Sequence, residues 1–301
     1  MSRTIQAAIA RGLRFLLDHQ DADGAWRDFL CAPGRAEAWT TAYIGARVLS
    51  TAPNAEALPR AAHFLEHAAC QGGGWGYNRA CDPDADSTAQ TILFLRRMNS
   101  PVAPRSYATL AAFQLADGSF ATYRDPNVYG GWATGHPDVT AVALQALAPL
   151  LADDHTILRR GLDSLRHHLV TPHAHASYWW PSRFYLPLEL LRLRAVLPSA
   201  PVLDATSPSA SLDSFDAALA LECNIISGNH KDASAYAEEL LRAQLQDGGW
   251  TAQPILRIAS RDALSVAQAA ALSAPLITDD RRLFTTATVL QALTAAAAPA
   301  S

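Results

Sequence analysis

Three aspartates spaced two apart, Asp82, Asp84 and Asp86, stand between a Gly-Gly-Trp turn (Gly73–Trp75) and an apolar run beginning at Ala89. Carboxylates crowded at the mouth of an apolar helix cannot all ionise cheaply, because each charge raises the cost of the next. One of Asp84 and Asp86, sharing a proton, is therefore expected to stay neutral near pH 7. A poorly solvated proton facing an apolar interior is what protonation of an alkene requires. A helix N-terminus opposes this by favouring the ionised carboxylate, by about 0.3–1 kcal/mol. Burial beside a like charge shifts a carboxyl by several pH units and outweighs that effect in a dry site. Ser87 and Thr88 offer hydroxyls that could orient the acidic proton. The plainer reading of Asp86 is a helix N-cap. A calcium loop built on the three aspartates would need Gly at Ser87 and Glu at Leu93, and both fail.

A carbocation made from an alkene survives only where water is excluded, and aromatic faces stabilise it by about 0.5–2 kcal/mol each. The aromatic residues at helix starts and in the loops feeding them are the candidates: Trp39, Tyr129, Trp132, Tyr178, Trp179, Trp180, Phe184, Tyr185, Phe215 and Phe284. Trp26, Trp75, Phe120 and Trp250 belong to repeated turns and are assigned to structure.

Those turns define the architecture. A helix-patterned segment, a short acidic or glycine turn and an aromatic recur in His19–Trp26, Cys70–Tyr77, Phe113–Phe120 and Leu245–Trp250. Each is followed by a loop and a second helical pattern rich in Ala, Leu and small residues, opening near Trp39, Asp86, Asp138 and Phe284. Segments 182–197 and 211–226 extend the series. First-type helices carry polar faces, such as Arg11, Arg14 and Asp18, and belong on an outer ring. Second-type helices are apolar around most of their circumference, as inner helices are. About eleven or twelve alternating helices predict an all-α fold, an α/α toroid spanning 1–301 as one domain around a central cavity. Strand signals are nearly absent. Loops 124–137 and 198–211 are long enough to serve as rims or lids.

The 301 residues are half hydrophobic and carry a net charge of −4 with scattered basic residues, which argues against nucleic acid as a partner. No apolar run reaches the roughly 20 residues of a membrane span. Met1–Gln20 reads as an amphipathic helix rather than a leader, and a cytoplasmic setting with contact at a membrane surface is expected. Four cysteines without a CxxC pair read as buried small hydrophobes. The histidines at 167, 168, 173 and 175 read as solvated helix-end residues, so no metal site is expected.

The turns resemble the QW motif of squalene–hopene cyclases and related class II terpene cyclases. Arg11-Gly12-x-x-Phe15-Leu16-Leu17-x-x-Gln20-x-x-x-Gly24-x-Trp26 follows that motif, and Gly73-Gly74-Trp75 with Pro83-Asp84-Ala85-Asp86-Ser87-Thr88-Ala89 resembles GGW…PDxDDTA. The resemblance implies Asp86 as general acid with Asp84 beside it. It implies for Asp138, in Asp138-Val139-Thr140-Ala141, support of a histidine that orients the acid. Two positions depart: the last Asp of DxDD is Ser87, and the orienting histidine is Val142, with His136 the nearest substitute. The implied activity is cyclisation of a linear isoprenoid, a terminal alkene or epoxide, of about fifteen to twenty carbons for a cavity within one domain. Its head would be a diphosphate or a meroterpenoid aromatic. No cofactor is required, though magnesium would accompany a diphosphate. Two rival readings stand beside this one: a non-catalytic toroid binding an isoprenoid, lipid or protein partner, and a prenyltransferase β-subunit-like protein. The latter needs an Asp-x-Cys zinc pair that the chain lacks.

Overall fold

The computed structural model describes residues 2–204, 212–272 and 274–298. In chain order the first elements are α1 (Ser2–Asp18), β1 (Asp28–Cys31), β2 (Gly34–Ala36), α2 (Ala38–Thr51), α3 (Ala57–Ala68), α4 (Ala85–Arg97) and α5 (Pro104–Ala111). Then follow β3 (Phe120–Ala121), α6 (Pro126–Tyr129), β4 (Gly135–His136), α7 (Pro137–Leu147), α8 (Thr156–Leu169) and α9 (Tyr185–Val196). The chain continues with α10 (Ser214–Ile226), α11 (His230–Ala243), β5 (Pro254–Arg257), α12 (Val266–Ala271), β6 (Leu276–Thr278) and α13 (Leu283–Ala297).

Six inner helices pack in a closed circle, α2 on α4, then α7, α9, α10 and α13, which returns to α2. Their buried faces run nearly all round, as in α7, where every residue is buried. Helices α1, α3, α5, α8 and α11 lie outside them with one buried stripe each, so the fold is an all-α toroid. The expected helix at 211–226 is α10; Ser211 and the 205–211 part of the predicted rim loop lie outside the described residues.

The repeated turns weld outer helix to inner helix by one scheme. The indole N–H of Trp26, Trp75 and Trp250 donates to the carbonyl ten residues earlier, at Leu16, Leu65 and Leu240, over 2.7–2.8 Å. The backbone N–H of Trp26, Trp75, Phe120 and Trp250 donates to the hydroxyl of Thr41, Thr88, Thr140 and Thr286 on the following inner helix. The amides of Gln20, Gln114 and Gln244 bridge their own turn to the next outer helix, at Ala57, Ile157 and Ala8. The fourth copy is thus keyed by Gln244, six residues before Trp250, and Ala69 holds that position in the second copy. Glycine is required where these turns press on a neighbour. Gly118 has φ +90°, and a Cβ there would meet the Arg160 carbonyl oxygen at 2.2 Å.

The ring closes between its first and last elements. The buried carboxylate of Asp28 accepts from the backbone N–H of Leu283 and Phe284, satisfying orphan donors at the start of α13. Arg35 pairs with Asp280 at 2.5 Å, and Tyr43 hydrogen-bonds Thr288 at 2.9 Å. Three two-stranded antiparallel ribbons, β1–β2, β3–β4 and β5–β6, decorate one end of the toroid. They are two to four residues long, too short for alternation to register in the sequence. Among the described residues, no helix is long and apolar enough to cross a membrane.

Candidate active site

A cavity of about 670 Å³ opens at the ribbon-bearing end of the toroid, and Asp82, Asp84 and Asp86 all reach its wall. The two inner aspartates differ because of where helix α4 starts. Asp84 has extended backbone and is the N-cap, accepting from the Ser87 N–H at 2.7 Å and the Ser87 hydroxyl at 2.7 Å. Asp86 lies inside the first turn, so its side chain turns to the cavity. Its carboxyl has no hydrogen-bond partner among the described residues. The capping role therefore falls to Asp84 and leaves Asp86 free.

Electrostatics separates the pair further. Burial pushes the Asp84 carboxyl up to about 7, against the pull of its hydrogen bonds from Ser87 and nearby backbone. Asp86 is raised well above the usual carboxylate range, first by burial and then by the charges of Asp84, Asp138 and Glu189. Asp86 is partly buried, its accessible part facing the cavity, so the carboxyl is poorly solvated. With no donor to stabilise its anion, Asp86 is the neutral member. The coupling is through charge; no hydrogen bond joins the two carboxyls.

Several expected partners of Asp86 are engaged elsewhere. The Ser87 hydroxyl donates to Asp84, and the Thr88 hydroxyl is committed to the backbone of Trp75. Asp138 accepts from the backbone N–H of Tyr178 and Trp179, at 3.3 Å each, and so positions the loop that carries Trp179 and Trp180. His136 is buried 3.8 Å above the Tyr178 ring. The Trp179 indole N–H donates to the Thr122 hydroxyl at 2.8 Å, which in turn faces His136 Nδ1 at 2.8 Å. Thr122 therefore donates to Nδ1, and the Nε2–H of His136 donates to the Gly131 carbonyl at 3.0 Å. Burial lowers its pKa to about 3, so the imidazole is neutral and serves the rim rather than the acid.

Of the ten predicted aromatics, Trp39, Tyr129, Trp132, Trp179 and Trp180 line the cavity. Phe284, Phe215 and Tyr185 stand behind the wall. Phe284 packs 5.1 Å from Trp39 and 5.3 Å from Trp180, while Tyr185 stacks on Trp180 at 4.4 Å. Phe184 is core, and Tyr178 is held away by its hydroxyl bond to the Ala263 carbonyl. Their spacing placed them at the correct end of their elements, but a helix start presents two faces and only one meets the hollow.

The wall also contains residues that spacing did not single out: Tyr77, Tyr123, Leu256, Ile258, Arg261 and the thiols of Cys31 and Cys81. Tyr77 directly follows the Gly-Trp turn and Tyr123 follows the Phe120 turn, which was the available signal. Leu256 and Ile258 alternate across the end of β5, a strand the sequence barely announces. At the mouth, Tyr123 and Tyr129 stack at 4.1 Å, the Tyr129 hydroxyl donates to Asp82 at 2.6 Å, and Arg261 lies 5.0 Å over the Trp132 ring. Among the described residues no group of three or more His, Cys, Asp or Glu is disposed to hold a metal ion.

This fold is shared with terpene cyclases of type II. No family model matches the chain, and no curated protein sequence matches it. Among solved structures, the type II terpene cyclase MstE from Scytonema superposes with a TM-score of 0.83 at 24% identity, over 99% of each chain. A protein from Actinoplanes is 26% identical with a TM-score of 0.79, covering 97% of this chain and 99% of that one. The ent-copalyl diphosphate synthase from Streptomyces platensis matches at 16% identity and TM-score 0.60, over 86% of this chain and 50% of its own. MstE variants with geranylgeranyl dihydroxybenzoate as substrate or merosterolic acid A as product match over 98% of both chains.

Proposed function

We propose that this chain is a class II cyclase in which Asp86 protonates a linear isoprenoid held in the aromatic cavity. The observation that carries the reading is a neutral carboxyl without hydrogen-bond partners on the wall of an otherwise largely apolar, Trp-lined hollow. The Asp86 O–H adds its proton to the CH carbon of the terminal trisubstituted alkene, leaving a tertiary cation on the dimethyl-bearing carbon. Neighbouring double bonds attack it in turn, forming carbon–carbon bonds, and the last cation loses a proton to water. Asp86 regains a proton from solvent, so product and substrate are isomers. Trp39, Trp179 and Trp180 offer ring faces to the travelling charge, each worth about 0.5–2 kcal/mol. Asp84 raises the acid's pKa by its own charge, and Asp138 holds the Trp179–Trp180 loop through backbone amides. Residues 1–301 act as one catalytic unit.

The head group is read from the mouth. Arg261 is the one cation among the described wall residues; it lies over the Trp132 ring, and Asp82, Tyr123 and Tyr129 line the same hollow. A single guanidinium suits a neutral or singly charged aromatic head better than a diphosphate, whose several charges call for several cations. A substrate of the size of the geranylgeranyl dihydroxybenzoate bound by an MstE variant fits this reading.

The test is incubation with geranylgeranyl dihydroxybenzoate and, separately, with geranylgeranyl diphosphate and magnesium, followed by mass spectrometry for isomeric products. Asp86→Asn is expected to bind the substrate and lose cyclisation by at least about 10²-fold, the lower range for a general acid. Unchanged turnover in that variant would overturn the assignment. Binding without turnover in the wild-type chain would favour a lipid-binding toroid.

A further inference from the structure

The opposite end of the toroid holds a second hollow, of about 360 Å³, with a different chemistry. All six inner helices contribute to it, through Arg47, Gln90, Arg97, Gln145, Glu189, Arg192, Glu222 and Gln291 among others. The two glutamates are fully occupied. Arg192 donates to Glu189 at 2.6 Å and to both oxygens of Glu222 at 2.9 Å, and the Gln145 amide takes the second oxygen of Glu189 at 2.8 Å. Three guanidiniums thus face two carboxylates, an excess of one positive charge.

The excess sits on Arg47 and Arg97. Neither has a carboxylate within ion-pair distance among the described residues. Arg97 donates to the Ala46 carbonyl through one terminal nitrogen and to the Ser50 hydroxyl through the other, which leaves further N–H groups free. Arg47 is only 7% exposed; it lies 3.3 Å over the Tyr43 ring, donates once to the Tyr43 carbonyl, and its Nε is buried with no partner. A buried guanidinium without a paired carboxylate is costly. The side-chain amides of Gln90 and Gln291 also face the hollow with no hydrogen bond among the described residues. The space is many times what one water requires, enough for a small hydrated ion.

We infer that this far-end hollow is a binding site for one small oxyanion, a carboxylate or a phosphate, held by Arg47 and Arg97. Guanidinium matches such oxygens in paired donor geometry, and Gln90 and Gln291 supply further N–H groups. The bound anion neutralises the excess charge and ties α2, α4 and α13 together at their C-terminal halves. The inference stands on this polar cluster alone and is independent of the chemistry proposed at Asp86.

The experiment is thermal unfolding of the full chain in sodium phosphate, sodium acetate and sodium chloride at matched ionic strength and pH. Phosphate, acetate or both are expected to raise Tm saturably by a few degrees over chloride, as mass action requires for a ligand of the folded state. The arm that responds identifies the anion. Arg47→Met is expected to abolish the response. If that variant does not fold, Arg97→Gln is expected to weaken it at least tenfold in half-saturating concentration, read also by calorimetric titration of phosphate. No excess stabilisation over chloride in the wild-type chain, or an undiminished response in Arg97→Gln, would overturn the site.

Discussion

Asp84→Asn tests the electrostatics of the acidic pair on two independent axes. The folded chain holds the Asp84 carboxyl at about 7, against an ordinary value of 3.8. A carboxyl raised in this way contributes its full stability below its unfolded value and loses it as pH climbs through the folded one. Each pH unit between the two is worth about 1.36 kcal/mol, so the ionised carboxylate costs the fold about 4 kcal/mol at pH 8. Asparagine caps a helix about as well as aspartate and still accepts from the Ser87 N–H. It gives up the charge-assisted part of the Ser87 bonds, about 1 kcal/mol. The net expectation is a stabilisation of about 3 kcal/mol at pH 8 and none at pH 4. At about 2.1 cal/mol/K per residue, that is a rise of about 5 °C in Tm for 301 residues. The second axis is activity. Removing the Asp84 charge lowers the pKa of Asp86, so the alkaline limb of the rate profile moves to lower pH. Thermal unfolding across pH 4–9 and initial rates over the same range measure both. A variant whose stability gain is equal at pH 4 and pH 8, or whose alkaline limb stays where the wild type has it, refutes the reasoning.

Two further outcomes follow from the geometry. Gly118→Ala combines a left-handed backbone with a carbonyl 2.2 Å from the new Cβ, and is expected to lower stability by about 2 kcal/mol or more, measured as Tm. His136, neutral down to about pH 3, is expected to show no imidazole titration between pH 5 and 8 by NMR; a midpoint near 6.5 would mean the Thr122–His136–Gly131 chain does not exist as described.

The frame was readable because its parts have narrow chemistry. Glycine at φ near +90°, an indole N–H seeking the carbonyl ten residues back, and threonine receiving the turn's backbone N–H leave recognisable spacing in the chain. Inner helices announced themselves by being apolar all round. Asp86 could be singled out because its partner in charge, Asp84, is its neighbour in sequence as well as in space. What was not readable depends on distant segments meeting. Arg261 and Tyr129 share a mouth only because residues 254–263 fold back over the 124–137 loop, where Trp132 donates its indole N–H to the Ala259 carbonyl. The hydrogen bonds of Asp138 and His136 depend on distant segments in the same way. The first relies on the backbone N–H of Tyr178 and Trp179, the second on Thr122 and the Gly131 carbonyl. The Ser87 hydroxyl goes to Asp84 within its own turn. Phe184, Phe215 and Phe284 failed as wall residues because periodicity gives a helix's depth along the axis but not which neighbour shields it from the hollow.

The closure at Asp28 and Gln244 leaves the circle without a loose terminal unit. An open solenoid can fray from its outermost repeat while the interior persists. Here the first helix is a flank of the last, so melting any one segment breaks two seams at once and drains both hollows together. Unfolding should consequently be a single collective event, with no half-ring surviving it.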